Sequence, residues 1–210
     1  MKPLSQRPLV IGLVGGVASG KTFVARTLAR WGAVVFDADA AGHRALTETS
    51  VKLAARDRWG DRVFDDNGEI DRKKLAEVVF GDSDQADTEL EFLEQLTHPV
   101  ISNLMRLALE QARCQGAQAF VLDAAVMLKA GWHNECDDVL FVETPRELRL
   151  ARALKRGWSE SHFDSRESAQ ELLSAKRQLA TVIIDNSGNE EQTRRQLSEY
   201  WHKRFHSEPS

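Results

Sequence analysis

A chain of 210 residues, 29% charged and 42% hydrophobic, can bury a sizeable core as one domain, with or without an insertion. Its formal net charge of −4 excludes broad, sequence-independent binding of nucleic acid, so any anionic ligand must be met by a local basic cluster. Cys114 and Cys136 form no C-x-x-C, residues 1–8 lack the apolar run of a signal peptide, and no apolar stretch reaches membrane-spanning length. A cytoplasmic protein with reduced thiols and no membrane partner is the expectation.

Residues 9–14 are a continuous apolar run of the kind found in a strand buried on both faces. Gly15, Gly16, Val17, Ala18, Ser19, Gly20, Lys21 and Thr22 follow, reading G-x-x-x-x-G-K-T. From Thr22 and Phe23 to Trp31 the spacing is helical, with Val24, Leu28 and Trp31 on one face. Strand, glycine loop and helix in that order are the context of a phosphate-binding loop. Glycines let the backbone close on a phosphate and turn N–H groups inward, and the helix N-terminus adds partial positive charge. Lys21 is placed to reach the β- and γ-phosphates of ATP, and the Thr22 hydroxyl to ligate Mg²⁺.

Gly32 ends the first helix, and residues 33–36 make a second strand that runs into Asp37-Ala38-Asp39. Carboxylates at the carboxyl end of a strand stand where open α/β sheets bind ligands, although Asp39 also suits a plain N-cap of a helix over 40–46. Residues 51–115 read as helical, with a turn at 65–68. One helix carries Ile70, Leu75, Val78 and Val79, a second Leu90, Leu93 and Leu96, and a third begins at His98-Pro99 with Pro99 at its first position. His98 is equally a capping residue or a ligand-binding one.

Residues 119–126 form a third strand. Asp123 interrupts it, either to hold Mg²⁺ through water or to make a structural hydrogen bond. Residues 138–142 form a fourth strand. The helix from Pro145 carries Arg149, Arg152 and Arg156 on one stripe, either a solvated basic face or the root of a lid over a triphosphate. A helix over 165–180, a fifth strand over 182–184 and a last helix over 190–205 complete the chain. Strands alternating with helices predict a five-stranded parallel sheet in a three-layer α/β/α fold.

The sequence resembles the dephospho-CoA kinase family, which phosphorylates the ribose 3′-hydroxyl of dephospho-CoA. The resemblance rests on the glycine loop, Asp37-Ala38-Asp39 with His43 after it, Leu96-Thr97-His98-Pro99-Val100-Ile101, Val121-Leu122-Asp123, and Gln170 and Lys176 ahead of Ile184-Asp185-Asn186-Ser187-Gly188. It departs at Ala125 to Lys129, where the family usually has Pro-Leu-Leu-x-Glu, and at Ala180-Thr181, usually Ala-Asp. The resemblance implies a P-loop kinase fold over residues 8–206. Its core would be 8–50 and 117–206, with a helical acceptor-binding insertion at about 51–115 and a lid at about 156–166. It implies that Asp39, Lys21 and Arg156 are catalytic, that residues 15–23 hold ATP, that Thr22 holds Mg²⁺, and that Asp37, Asp39, His43, His98, Asp123 and Arg152 bind the small-molecule substrate, Asp39 and His98 at the acceptor and Arg152 assisting Arg156 in the lid. A monomer or weak homo-oligomer is expected. A nucleoside-monophosphate kinase shares loop, lid and sheet and is separated by its acceptor, and a catalytically weakened ATP-binding relative is the other alternative. The guanine-reading N-K-x-D tetrapeptide does not occur.

Overall fold

The computed structural model describes residues 7–81, 85–168 and 172–205. Its centre is one five-stranded parallel sheet of order β2-β3-β1-β4-β5. The strands are β1 (Leu9–Gly15), β2 (Val34–Asp37), β3 (Ala119–Asp123), β4 (Asp138–Glu143) and β5 (Val182–Asp185). The apolar run of the first strand dictates its place: β1 lies in the middle, buried along nearly its whole length. Because β1 sits between β3 and β4, the chain reverses its winding there, and the crevice at the carboxyl end of β1 is the natural ligand position.

Side chains alternate across the sheet. On one face Ile11 and Leu13 pack with Val24 and Leu28 of α1 (Lys21–Arg30) and Leu197 and Trp201 of α9 (Glu190–Phe205). Gly12 points the other way, where an added Cβ would come within 2.8 Å of Met127 Sδ and 2.9 Å of Cys136 Sγ. That close approach requires glycine. Both cysteines are free, and burial raises the Cys136 thiol to about 12.

At the amino end of β4 the buried Asp138 carboxylate accepts from Tyr200 Oη at 2.8 Å, from Thr181 Oγ1 at 3.3 Å and from the Arg204 guanidinium. This network pins the end of α9 to the sheet. The Thr181 hydroxyl also accepts from Val139 N at 3.0 Å, so a neutral side chain at this position adjoins an already buried carboxylate. A second acid there would add like charge.

Of the described residues, those up to Asp37 and from Ala108 onward form one compact unit, and Ala38–Leu107 form a second. The second unit contains α2 (Ala38–Ala45), α3 (Thr49–Trp59), a 3-10 turn at Gly60–Val63, α4 (Arg72–Phe80) and residues 86–107 of α5 (Ala86–Cys114). It has its own core of Ala55, Trp59, Val63, Phe64, Leu75 and Val79. Glu89 ties that core together. It accepts from Arg58 Nε and Nη2, both at 3.0 Å, and from Trp59 Nε1 at 2.7 Å. The Arg58 hydrogen bonds first and the Trp59 bond second hold its carboxyl below the usual range. Asp71 caps α4 by accepting from Lys73 N at 2.8 Å.

Four boundaries differ from the sequence reading. α5 runs straight through Pro99, so His98-Pro99 does not begin a helix. Proline inside a helix removes one hydrogen bond and costs about 3 kcal/mol. The buried Thr97, Ile101 and Met105 show why packing outweighs that cost. α2 starts at Ala38, which puts Asp39 inside its first turn and not at a cap of residues 40–46. β3 ends at Asp123, so that residue closes the strand and does not interrupt it. The helix expected over 165–180 is two helices, α7 (Glu160–Ser168) and α8 (Leu173–Gln178). The extended backbone at Leu172 precedes α8, and residues 169–171 lie outside the described residues. No helix among the described residues is long and apolar enough to cross a membrane.

Candidate active site

Residues 15–22 leave β1 and enter α1 as the pattern requires. Gly20 caps α1 with φ 103°, a left-handed conformation. A Cβ at that position would fall on the Asn186 side-chain amide. Gly15 is as constrained: its Cβ would lie 2.7 Å from Ser19 Oγ and 2.8 Å from the Val142 carbonyl. We therefore expect Gly20→Ala to lose at least the ~1–2 kcal/mol that a side chain costs in left-handed backbone. It should also lose nucleotide-induced stabilisation. Thermal unfolding with and without ADP measures both.

The loop is held from outside by one atom. The Ser19 carbonyl accepts from Asn186 Nδ2 at 2.7 Å, Thr144 Oγ1 at 2.9 Å and Arg152 Nη1 at 3.0 Å. Arg152 Nη2 also donates to the Asn186 carbonyl at 2.7 Å, and Asn186 Oδ1 accepts from Thr193 Oγ1 at 2.9 Å. Carbonyl and N–H point opposite ways across a trans peptide. Drawing the Ser19 carbonyl outward thus turns the Gly20 N–H to the other side. Ser19 Oγ is buried and has no hydrogen-bond partner. Lys21 is half-buried, and Thr22 is exposed at the first turn of α1.

Beside the loop lies a cavity of about 560 Å³ lined by Gly20, Thr22, Phe23, Arg156 and Arg194 among others. The Arg194 guanidinium stands 5.2 Å from the Phe23 ring centroid. Burial first, and then the charge of Arg156, pull Arg152 below the ordinary arginine range. Two guanidiniums crowded beside a ring of glycines are an excess of positive charge that an anion relieves. The glycine cradle, the unused Ser19 hydroxyl and these cations together fit a nucleotide's phosphates. Thr22, in the first turn of α1, borders the same cavity.

At the carboxyl edge of the sheet, Asp37 and Asp123 are register partners on β2 and β3, and Asp123 is in turn the partner of Leu13 on β1. The two acids therefore end adjacent strands, next to the strand that feeds the glycine loop. At the same edge Glu143 accepts from Arg177 Nε at 2.8 Å, and Asp185 accepts from Ser187 N at 2.8 Å. Hydrogen bonds from the Ser187 side chain and backbone hold Asp185 below the usual carboxylate range.

Within the second unit, Asp39 and His43 are four residues apart on α2 and share a face, both exposed. A Cβ built on Gly42 would lie 3.7 Å from Ile101 Cδ1 of α5. His98, three residues before Ile101, lies on the same side of that helix and is half-buried. Three of the expected acceptor residues are thus drawn from two neighbouring helices of one unit.

The dephospho-CoA kinase family model matches residues 9–192. A dephospho-CoA kinase of Geobacter sulfurreducens is 38% identical over 198 residues, 93% of this chain and 98% of its own. This chain belongs to the dephospho-CoA kinase family. A crystal structure of a protein from Thermus thermophilus superposes with a TM-score of 0.78 at 31% identity, covering 94% of this chain and 98% of that one. Dephospho-CoA kinase from Campylobacter jejuni has the same fold, with a TM-score of 0.67 at 23% identity over 92% and 96% of the two chains.

Among the residues that mark this kinase family, Gln170 lies outside the described residues. Lys176 is fully buried on α8, with Nζ 3.5 Å from the Ala125 carbonyl. Two structural parts of the site escaped sequence reasoning. Thr144 and Asn186, which grip Ser19, follow the acidic residues that end β4 and β5, a repeated position that was a usable signal. Arg149 appeared as one of three arginines on a stripe, yet it alone is buried, while Arg152 is half-buried and Arg156 exposed.

Proposed function

We propose that this kinase transfers the γ-phosphoryl group of ATP directly to the ribose 3′-hydroxyl of dephospho-CoA, the step that yields CoA. The observation that carries the reading is the pre-formed glycine cradle, its Ser19 carbonyl clasped by three donors.

Phosphoryl transfer is chiefly a matter of positioning and charge neutralisation. The backbone of residues 15–22 holds the β- and γ-phosphates, and the cavity beside Phe23 and Arg156 takes the rest of the nucleotide. Lys21 and Arg156 neutralise charge on the transferring group. Arg152 serves mainly through Ser19, fixing the cradle from behind. The Thr22 hydroxyl and Asp123 are the residues that would hold Mg²⁺, which when bound would supply Lewis-acid neutralisation of the phosphates. Asp39 orients the acceptor hydroxyl and takes its proton late in the transfer. Asp37 ends β2 as the neighbour of Asp123 and adds to the acidic rim. His43 and His98 flank the acceptor. Residues from about 156 to 166 form the lid.

A coupled assay of ADP release tests the reading. We expect turnover with dephospho-CoA roughly 100-fold or more above that with AMP or CMP, a ratio that pocket contacts alone can supply. Single-turnover transfer of labelled γ-phosphate should give a product phosphorylated on the ribose. Comparable rates with AMP would assign the protein to the nucleoside-monophosphate kinases instead.

A further inference from the structure

Arg149 has a use that the transfer chemistry does not require. It belongs to α6 (Arg146–Lys155) and is 3% exposed. Its Nε donates to the Thr144 carbonyl at 3.1 Å, and Nη1 donates to the Val17 carbonyl at 3.4 Å. A Cβ on Gly16 would lie only 2.7 Å from Nη1, so the guanidinium presses against the back of the glycine loop. The same Nη1 is ion-paired with Glu167 of α7. Above it, the fully buried Phe163 of α7 packs with Val17 of the loop and Ala153 of α6. The Arg149 guanidinium lies 5.6 Å from the Phe163 ring centroid.

The adjoining loop residue explains what this arrangement holds. Ala18 has φ 57°, the one non-glycine residue with positive φ among those described. A side chain in that conformation persists only where its surroundings over-determine it. Its preceding peptide is fixed at one end by Arg149. With the Val17 carbonyl drawn outward, the Ala18 N–H turns to the opposite side, the orientation a phosphate needs.

We propose that Arg149 is a positioning residue that, through its ion pair with Glu167, couples the docking of α7 to the strained, binding-competent conformation of the glycine loop. Arg146 makes the comparison useful. It pairs with Asp164 at 2.5 Å and with Glu167 at 3.4 Å, but it is half-exposed, where ion pairs contribute little. Arg149 is buried, and losing its counter-charge leaves a cation stranded behind the loop. Linkage is reciprocal: if docked α7 favours nucleotide at the loop, nucleotide favours docked α7 by the same factor.

The inference rests on reading residues 15–22 as the phosphate cradle, and the experiment separates the two. ADP is titrated into the full chain and into Glu167→Gln, Arg149→Gln and the double variant, with hydrogen exchange followed at residues 15–22 and 160–168. In the wild type, ADP should slow exchange in both segments. In Glu167→Gln it should still protect the loop while protection of α7 is lost, and ADP affinity should fall by roughly 5–150-fold. The double variant should be no weaker than the weaker single one. Ala18→Gly removes the strain being held, so in that background Glu167→Gln should cost far less affinity. A purely structural ion pair would not show that rescue. If Arg149→Gln does not fold, Glu167→Gln with and without Ala18→Gly decides the matter. Unchanged α7 protection in Glu167→Gln, or no rescue by Ala18→Gly, overturns the coupling. Absence of wild-type protection at 15–22 overturns the cradle reading itself.

Discussion

Replacing Lys21 with methionine is expected to lower kcat by ~10²–10³-fold or more, the range seen when one preorganised charge-stabilising donor is removed. Lys21 opens α1, directly after the left-handed Gly20. The backbone therefore fixes where its side chain begins, and the cation stands at a helix N-terminus that already favours anions. Its stem lies outside the hydrophobic core that Val24 and Leu28 enter. Methionine preserves most of that stem, so the melting temperature of the unliganded protein should change little. The loss belongs to the transferring group, where charge moves during reaction, so kcat should fall more than affinity for ADP. Steady-state kinetics, ADP titration and thermal unfolding on one preparation check all three. Turnover within a few-fold of the wild type would remove Lys21 from the mechanism.

Asp39→Asn is expected to cost roughly 10²–10⁴-fold in kcat, the usual contribution of a positioned general base. The substitution keeps shape and hydrogen-bonding capacity but removes basicity. Asp39 sits in the first turn of α2, where a negative charge also complements the helix dipole for about 0.3–1 kcal/mol. A small stability loss should accompany the kinetic one and is too small to explain it. ATP affinity should hold, because Asp39 is assigned to the acceptor. Asp37→Asn gives a useful contrast. Asp37 ends β2 beside Asp123, and as a substrate-binding residue its loss should weaken acceptor affinity more than proton transfer. Full turnover by Asp39→Asn would rule out its role as base.

Much of this was legible in the sequence, for physical reasons that differ from element to element. The central strands were readable because a sheet covered on both faces demands unbroken apolar runs, as in β1 and in Ala119 to Leu122. The loop was readable because few residues other than glycine survive at Gly15 and Gly20. Pro99 misled because a local signal for a helix start competes with burial of residues on either side of it, and burial prevailed. The Arg149–Glu167 pair was not legible. Its partners are 18 residues apart in different helices, and a stripe of arginines looks the same whether it faces water or the underside of a loop. The clasp on Ser19 was likewise invisible, since its donors come from positions 144, 152 and 186.

That clasp also governs when the protein can first work. A ribosome has finished the whole glycine motif once residue 22 is added, yet the atoms that set its shape arrive more than a hundred residues later, Asn186 last. A nascent chain halted before β5 would carry the complete fingerprint and still bind nucleotide poorly. Competence should appear late and abruptly during synthesis, when the loop after β5 closes on Ser19.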